Sequence, residues 1–141
     1  MEISYSENKS TYSEVYAHLQ AMDKDFAIPL SKRVDVKEYA RKLAENAERI
    51  EAWHDNTLIG LVAYYNNFEN KIFYVSNVSV MLKYSNQGIA SSLLKILKVK
   101  IQDNKYSIRL ECYKSQLQFY INSGFCLFRD QGEGQYMMSF N

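Results

Sequence analysis

The stretch VSVMLKYSNQGIASSLL, residues Val78–Leu94, decides how this chain folds. It reads as a buried strand ending at Val80, a polar turn with one glycine, and an amphipathic helix. The turn Ser85, Asn86, Gln87, Gly88, Ile89 and Ala90 puts small or polar side chains where the helix must begin. A helix start exposes several unpaired backbone N–H groups, here running on to Ser91. With the helix dipole these groups make an anion site suited to a phosphate or pyrophosphate. Gly88 has no β-carbon, so the backbone can approach such a ligand closely. From Asn70 to Gln102 there is no Asp or Glu, while Lys71, Lys83, Lys95, Lys98 and Lys100 fall in that span. A pyrophosphate meets no carboxylate from this segment.

The rest of the chain organises around this unit. Downstream, the spacing of Ile89, Leu93, Leu97 and Ile101 predicts a helix over Gly88–Gln102, its lysines toward the C-terminus as the dipole favours. A strand at Ser107–Cys112, a short helix at Ser115–Ser123, and strands near Cys126–Arg129 and Tyr136–Phe140 follow. Gly124 is placed as a left-handed C-cap with Phe125 folding back on the helix. Asp130–Gln135, with Gly132 and Gly134, reads as the last hairpin loop. Upstream, Lys71–Val80 is rich in β-branched and aromatic residues. Ile50–His54 and Thr57–Tyr65 flank Asp55-Asn56, a pair suited to a tight hairpin turn. The run LIGLVAYY is apolar almost throughout, as in a strand covered on both faces. Helices are expected at Tyr12–Met22, with Val15, Leu19 and Met22 inward, and at Val36–Ala47, with Asp35 as N-cap. Pro29 separates them, and a first strand begins near Ile3.

At 141 residues the chain fits one domain with one sizeable core. A net charge of +1 excludes a strong nucleic-acid footprint. No apolar run approaches membrane-spanning length, and the N-terminal residues show no signal-peptide pattern. Two cysteines, Cys112 and Cys126, are too few for a disulfide scaffold or zinc cluster, so a reduced cytoplasmic setting is the default. The 12 tyrosines can line a polar-tipped cleft or simply fill strands.

The hexad Ser85–Ala90 resembles the Q/R-x-x-G-x-G/A motif of the GNAT (GCN5-related) N-acetyltransferases, with Gly88 and Ala90 matching and Ser85 replacing the leading Gln or Arg. A second segment, Phe119-Tyr120-Ile121-Asn122-Ser123-Gly124-Phe125, resembles that family's F-Y-x-x-x-G-F helix end. The two stand in the family's order, with a strand between them. The resemblance implies an α/β fold, the GNAT or acyl-CoA N-acyltransferase fold, with a mixed central sheet flanked by helices in a single N-acetyltransferase domain over residues 1–141. It implies acetyl-CoA as cofactor, its pyrophosphate on the backbone of Ser85, Asn86, Gln87, Gly88, Ile89, Ala90 and Ser91, and its pantetheine arm along Val78 and Val80. Tyr113, where the family often has an Asn, is a further candidate contact. Tyr120 would donate a hydrogen bond or proton to the departing thiolate: a thiol titrates near ~8.5, while a tyrosine, near ~10, keeps its proton at neutral pH and has it to offer as the sulfur leaves.

The attacking amine must itself lose a proton, since an alkyl ammonium titrates near ~10. Many relatives carry a Glu six residues before the position of Val80; Tyr74 stands there instead. Glu111, Glu69, His54, Asp25 or a water chain could take the proton, and the sequence does not choose among them. Acceptor selection is expected from Met22–Lys37 and Tyr65–Lys71, where Asp23, Asp25, Phe26, Tyr64, Tyr65, Asn66 and Glu69 would favour a small cationic or polar amine. The implied protein is an acetyl-CoA-dependent N-acetyltransferase for a small-molecule amine such as an amino sugar, polyamine or amino-acid-like acceptor. It needs no metal, nucleic acid or membrane, and a homodimer is open as its assembly. The alternative is a catalytically silent CoA-binding sensor or partner-binding module. A P-loop hydrolase is disfavoured, because no Gly-Lys-Ser/Thr follows the glycine turn.

Overall fold

A computed structural model describes residues 2–141. Seven strands form one sheet: β1 (Ser4–Glu7), β2 (Glu48–His54), β3 (Thr57–Asn67), β4 (Ile72–Val80), β5 (Ser107–Tyr113), β6 (Cys126–Gly132) and β7 (Gln135–Phe140). Their order is β1-β2-β3-β4-β5-β7-β6. Only β4 and β5 run parallel. A parallel pair needs a crossover, and α3 (Ile89–Lys100) supplies it. The remaining helices are α1 (Tyr12–Met22), α2 (Val36–Asn46) and α4 (Leu117–Asn122). The expected elements are all found. The main difference lies at the last hairpin, where β6 runs to Gly132 and only Glu133-Gly134 turns, both at positive φ.

The sheet separates two apolar clusters. Ile89, Leu93, Leu94 and Leu97 of α3 and Tyr120 of α4 pack on one face with Ile50, Ile59, Val62, Phe73, Val75 and Leu110. On the other, Val15 and Leu19 of α1 and Ala40 and Leu43 of α2 pack on Leu58, Leu61 and Ala63. Strand β3 feeds both, which is why its sequence is apolar on both sides. Gly60 sets the depth of α3: a β-carbon there would come within 3.1 Å of Ile89 Cγ2 and 3.2 Å of Leu93 Cδ1. An isolated strand glycine marks such a close approach.

Both early helices are capped by side chains. Thr11 and Glu14 form a capping box on α1, and Asp35 accepts from the N–H groups of Lys37 and Glu38 on α2. Buried Arg49 satisfies the other end of α2, donating to the carbonyls of Leu43, Ala44 and Ala47 at 2.9–3.1 Å. Beside it Glu51 accepts from Ser6, Ser10 and the Lys9 and Ser10 N–H groups. Burial works against its charge, yet these bonds outweigh that and lower its pKa.

Candidate active site

Strands β4 and β5 pair from Ile72–Ser107 to Val75–Leu110 and then part. β4 continues on β3 to Val80, and β5 continues on β7 to Tyr113. The divergence has a local cause. Tyr64 pairs with Val75 and Ala63 with Asn77, so Ser76 is an extra residue on β4. Such a bulge bends its strand and increases the twist. The Tyr39 hydroxyl of α2 holds the bulge, donating to Ser76 O at 3.0 Å with Ser76 Oγ at 2.7 Å.

Beyond the bulge, ladder alternation sets where the backbone points. Met81 N–H bonds Ile59 O at 2.8 Å, so Asn77, Ser79 and Met81 direct their backbone groups to β3. Val78 and Val80 therefore direct theirs into the gap. The opposite face of β4 is anchored from α1. Buried His18 bonds Leu58 O through Nδ1 at 2.9 Å and Ser79 Oγ through Nε2 at 2.8 Å, and Asn77 Nδ2 donates to Ser79 Oγ at 2.9 Å. Leu58 O can only accept, which assigns the proton to Nδ1 and makes Nε2 the acceptor. Burial depresses the His18 pKa to about 4.

The glycine turn stands at the open end of the gap. Ser85 N–H is already donated to Leu82 O at 3.0 Å, so the free set begins one residue later than the sequence suggested. Asn86 and Gly88 take positive φ, 63° and 74°, and the first helical bond runs from Ser92 N–H to Gly88 O. Among the described residues, no carbonyl or side chain takes the backbone N–H groups from Asn86 to Ser91. A β-carbon built on Gly88 would meet nothing within 4 Å. The glycine thus serves the left-handed turn and an open approach, not packing.

Tyr120 forms part of the gap's wall, with Val75–Val78, Leu110, Tyr113 and Gln116. Its position follows from the end of α4. Phe125 N–H bonds Tyr120 O and Gly124 N–H bonds Ile121 O, both at 3.0 Å, with Gly124 at φ 94°. This Schellman turn folds Phe125 against the Tyr120 ring at 5.7 Å. Burial, with Cys112 nearby, pushes the Tyr120 hydroxyl well above the ordinary tyrosine range, so it remains a donor.

Past the bulge the gap opens into a small cavity of about 240 Å³, lined by Arg33, Tyr74, Ser76, Glu111, Tyr113 and Gln135 among others. Tyr74 donates to Glu111 Oε1 at 2.8 Å. Glu111 is exposed on the face opposite Leu110 and Cys112, as the alternation predicts, but that face borders the cavity. The other base candidates lie elsewhere. His54 bonds Glu2 O and stacks edge-on against Tyr84. Glu69 is in the β3–β4 turn, and Asp25 in a single 3-10 turn, neither lining the cavity. Of the segments expected to select the acceptor, Met22–Lys37 contributes Phe26, Ala27 and Arg33 to the gap, and Phe26 is the one individually named residue that lines it. Asp23 instead fastens the α1–α2 connection through Ser31 N–H and Oγ, at 2.6 and 2.7 Å. Tyr64 is buried in the core, which pushes its pKa up to about 12.

Sequence reading placed Arg33 only within the segment Met22–Lys37, and it missed the Ser76 bulge and the His18–Ser79–Asn77 chain. The one local signal was Ser76-Asn77 interrupting an apolar strand.

The sequence model of the Acetyltransferase (GNAT) domain matches residues 9–138. The chain belongs to the GNAT acetyltransferase family. Solved structures share this GNAT fold at low identity. The PaiA N-acetyltransferase of Thermoplasma acidophilum, in complex with coenzyme A, is 14% identical, with 99% of this chain and 98% of that one covered at TM-score 0.73. An aminoglycoside 6'-acetyltransferase type Ii is 12% identical over 100% and 97%, TM-score 0.77. The ribosomal-protein-S18-alanine N-acetyltransferase of Escherichia coli is 15% identical over 99% and 93%, TM-score 0.73. No curated protein matches this GNAT chain in sequence. Among the described residues no helix is long and apolar enough to cross a membrane, and no His/Cys/Asp/Glu cluster could hold a metal ion.

Proposed function

We propose that the protein is one N-acetyltransferase domain that moves the acetyl group of acetyl-CoA to the amine of a small acceptor by direct attack on the thioester. The observation that carries this reading is the gap between β4 and β5. It offers unpaired backbone at Val78 and Val80, free N–H groups from Asn86 to Ser91 at one end, and the protonated Tyr120 hydroxyl on its wall. An extended pantetheine arm suits the strand edge, because it can pair with main chain as a third strand would. The pyrophosphate suits the turn, where oriented N–H groups and the α3 dipole favour anions. Ser85 has only its hydroxyl to add, and Tyr113 and Gln116 flank the middle of the arm.

Chemistry then falls at the closed end. The acceptor nitrogen attacks the thioester carbon, the carbon–sulfur bond breaks, and Tyr120 gives the leaving thiolate its proton. An acceptor of modest size fits a cavity of about 240 Å³, and Glu111 at its edge favours a cationic amine such as an amino sugar, polyamine or amino-acid-like molecule. Unpaired Cys112 and Cys126 suit a reduced cytoplasmic setting. The test is calorimetric titration with acetyl-CoA and with pantetheine, then thiol release against a panel of primary amines. Acetyl-CoA binding that weakens without the pyrophosphate, together with amine-dependent release of CoA, is the expected result. Binding without release under any amine would make the protein a CoA-binding module.

A further inference from the structure

Resting on the acetyl-transfer reading, one proton remains without a destination. Tyr120 supplies the sulfur, and the strand position where many relatives carry a Glu holds Tyr74. We propose that Glu111 is the general base, held in place by the Tyr74 hydroxyl.

Three observations support it. Glu111 is the first residue of β5 beyond Val75–Leu110, the last β4–β5 pair. It therefore stands at the vertex of the gap, where an arm entering from the glycine turn ends. It is also the only carboxylate among the residues lining the gap and the cavity beyond it. Third, its Oε1 is fixed by the Tyr74 hydroxyl at 2.8 Å, and it forms no ion pair among the described residues. That leaves Oε2 for an acceptor. Tyr74 is suited to the supporting part: burial and the adjacent carboxylate push its hydroxyl well above the ordinary range, so it stays protonated and donates.

The charged and titratable surroundings are Tyr74 from β4, Arg33 from the α1–α2 connection, Tyr39 from α2, and Arg109 and Tyr113 from β5 itself. Arg109 is drawn away, its guanidinium 3.8 Å from the centre of the Phe128 ring. Across β7, Gln135 and Met137 bring no charge.

Protons balance as follows. The acceptor ammonium gives one proton to the Glu111 carboxylate, which passes it to solvent. The neutral nitrogen bonds to the acyl carbon and the carbon–sulfur bond breaks. The second proton leaves the nitrogen as the amide forms and replaces the one Tyr120 has given to sulfur. Free CoA thiol, the amide and one proton in solution result.

The test uses the full chain, acetyl-CoA, and amines graded from hydroxylamine, which is largely neutral at pH 7, to ethanolamine and putrescine. In Glu111→Gln, kcat/KM for ethanolamine and putrescine at pH 7 should fall roughly 10²-fold or more. It should recover about tenfold per pH unit toward the amine's own pKa, because solution then supplies the neutral form. Hydroxylamine should lose less than about tenfold, and acetyl-CoA affinity should not change. Tyr74→Phe should lower kcat for the basic amines with little change in KM, sparing hydroxylamine in the same way. Equal losses for basic and neutral amines, or wild-type rates for the basic amines, would overturn the assignment while leaving acetyl transfer intact. Wild-type protein that binds acetyl-CoA but releases CoA to no amine would overturn the transfer reading, and the base with it.

Discussion

Lowering the pH from 7 to 4 asks the fold to accept a proton on an imidazole that it holds neutral. His18 is 2% exposed, and both ring nitrogens are engaged, Nδ1 donating to Leu58 O and Nε2 accepting from Ser79. Protonating Nε2 turns an acceptor into a donor facing a hydroxyl already receiving the Asn77 amide. Burial takes the His18 pKa from 6.5 to about 4. The unfolded chain therefore binds this proton below 6.5 while the folded chain resists it until about 4. The stabilisation from neutral His18 is complete above 6.5, shrinks as the pH falls, and is gone below 4. At about 1.4 kcal/mol per pH unit the loss comes to roughly 3 kcal/mol, a large share of a small domain's stability. Urea unfolding at a series of pH values measures it, with His18→Gln as reference, since carboxylates such as Glu51 titrate alike in both proteins. The wild type should lose roughly 3 kcal/mol more than the variant between pH 6.5 and 4, and an NMR titration should put His18 near 4. Parallel pH profiles, or a His18 titrating near 6.5, would refute the reasoning.

Four substitutions probe the gap and the helix start beside it. Tyr120→Phe should lower kcat by about 10²-fold, the usual contribution of a positioned acid, with acetyl-CoA affinity unchanged in calorimetry; unchanged turnover would remove Tyr120 from the reaction. Gly88→Glu should abolish acetyl-CoA binding while the protein still folds, because a β-carbon there meets nothing within 4 Å but the side chain sets a carboxylate beside the proposed pyrophosphate site. Gly88→Asn, which tolerates the left-handed turn, should keep most of the affinity, and a loss equal to that of Glu would point to backbone strain instead. Gly60→Val should cost about 1–3 kcal/mol in urea unfolding by crowding Ile89 and Leu93, and should weaken acetyl-CoA binding by displacing the start of α3. Wild-type stability in that variant would show that the helix yields freely.

Much of this architecture is legible in short stretches of sequence. Helix α1 spans Tyr12–Met22 as its periodicity predicts, Asp35 caps α2, and Asp55-Asn56 makes a hairpin with both residues at positive φ. The Gly88 turn and the Gly124-Phe125 helix end are equally local, because a positive φ, a cap or an apolar stripe is specified within a few neighbouring residues. So the backbone framework of the proposed site, the end of β4 at Val80 and the glycine turn before α3, is specified locally. The side-chain half is not. Glu111 and Tyr74 are 37 residues apart, and His18 and Ser79 are 61 apart. Their meeting depends on the β4–β5 register, which sets Tyr74 opposite Arg109 and hence diagonal to Glu111. It also depends on the one extra residue at Ser76 that ends the pairing there. A one-residue slip in the β4–β5 register would turn Glu111 to the other face of the sheet with no change in any element's own pattern. Sequence thus determined the elements and the glycine turn before α3; tertiary packing decided which carboxylate meets the cleft, because register is set by contacts between strands rather than within them.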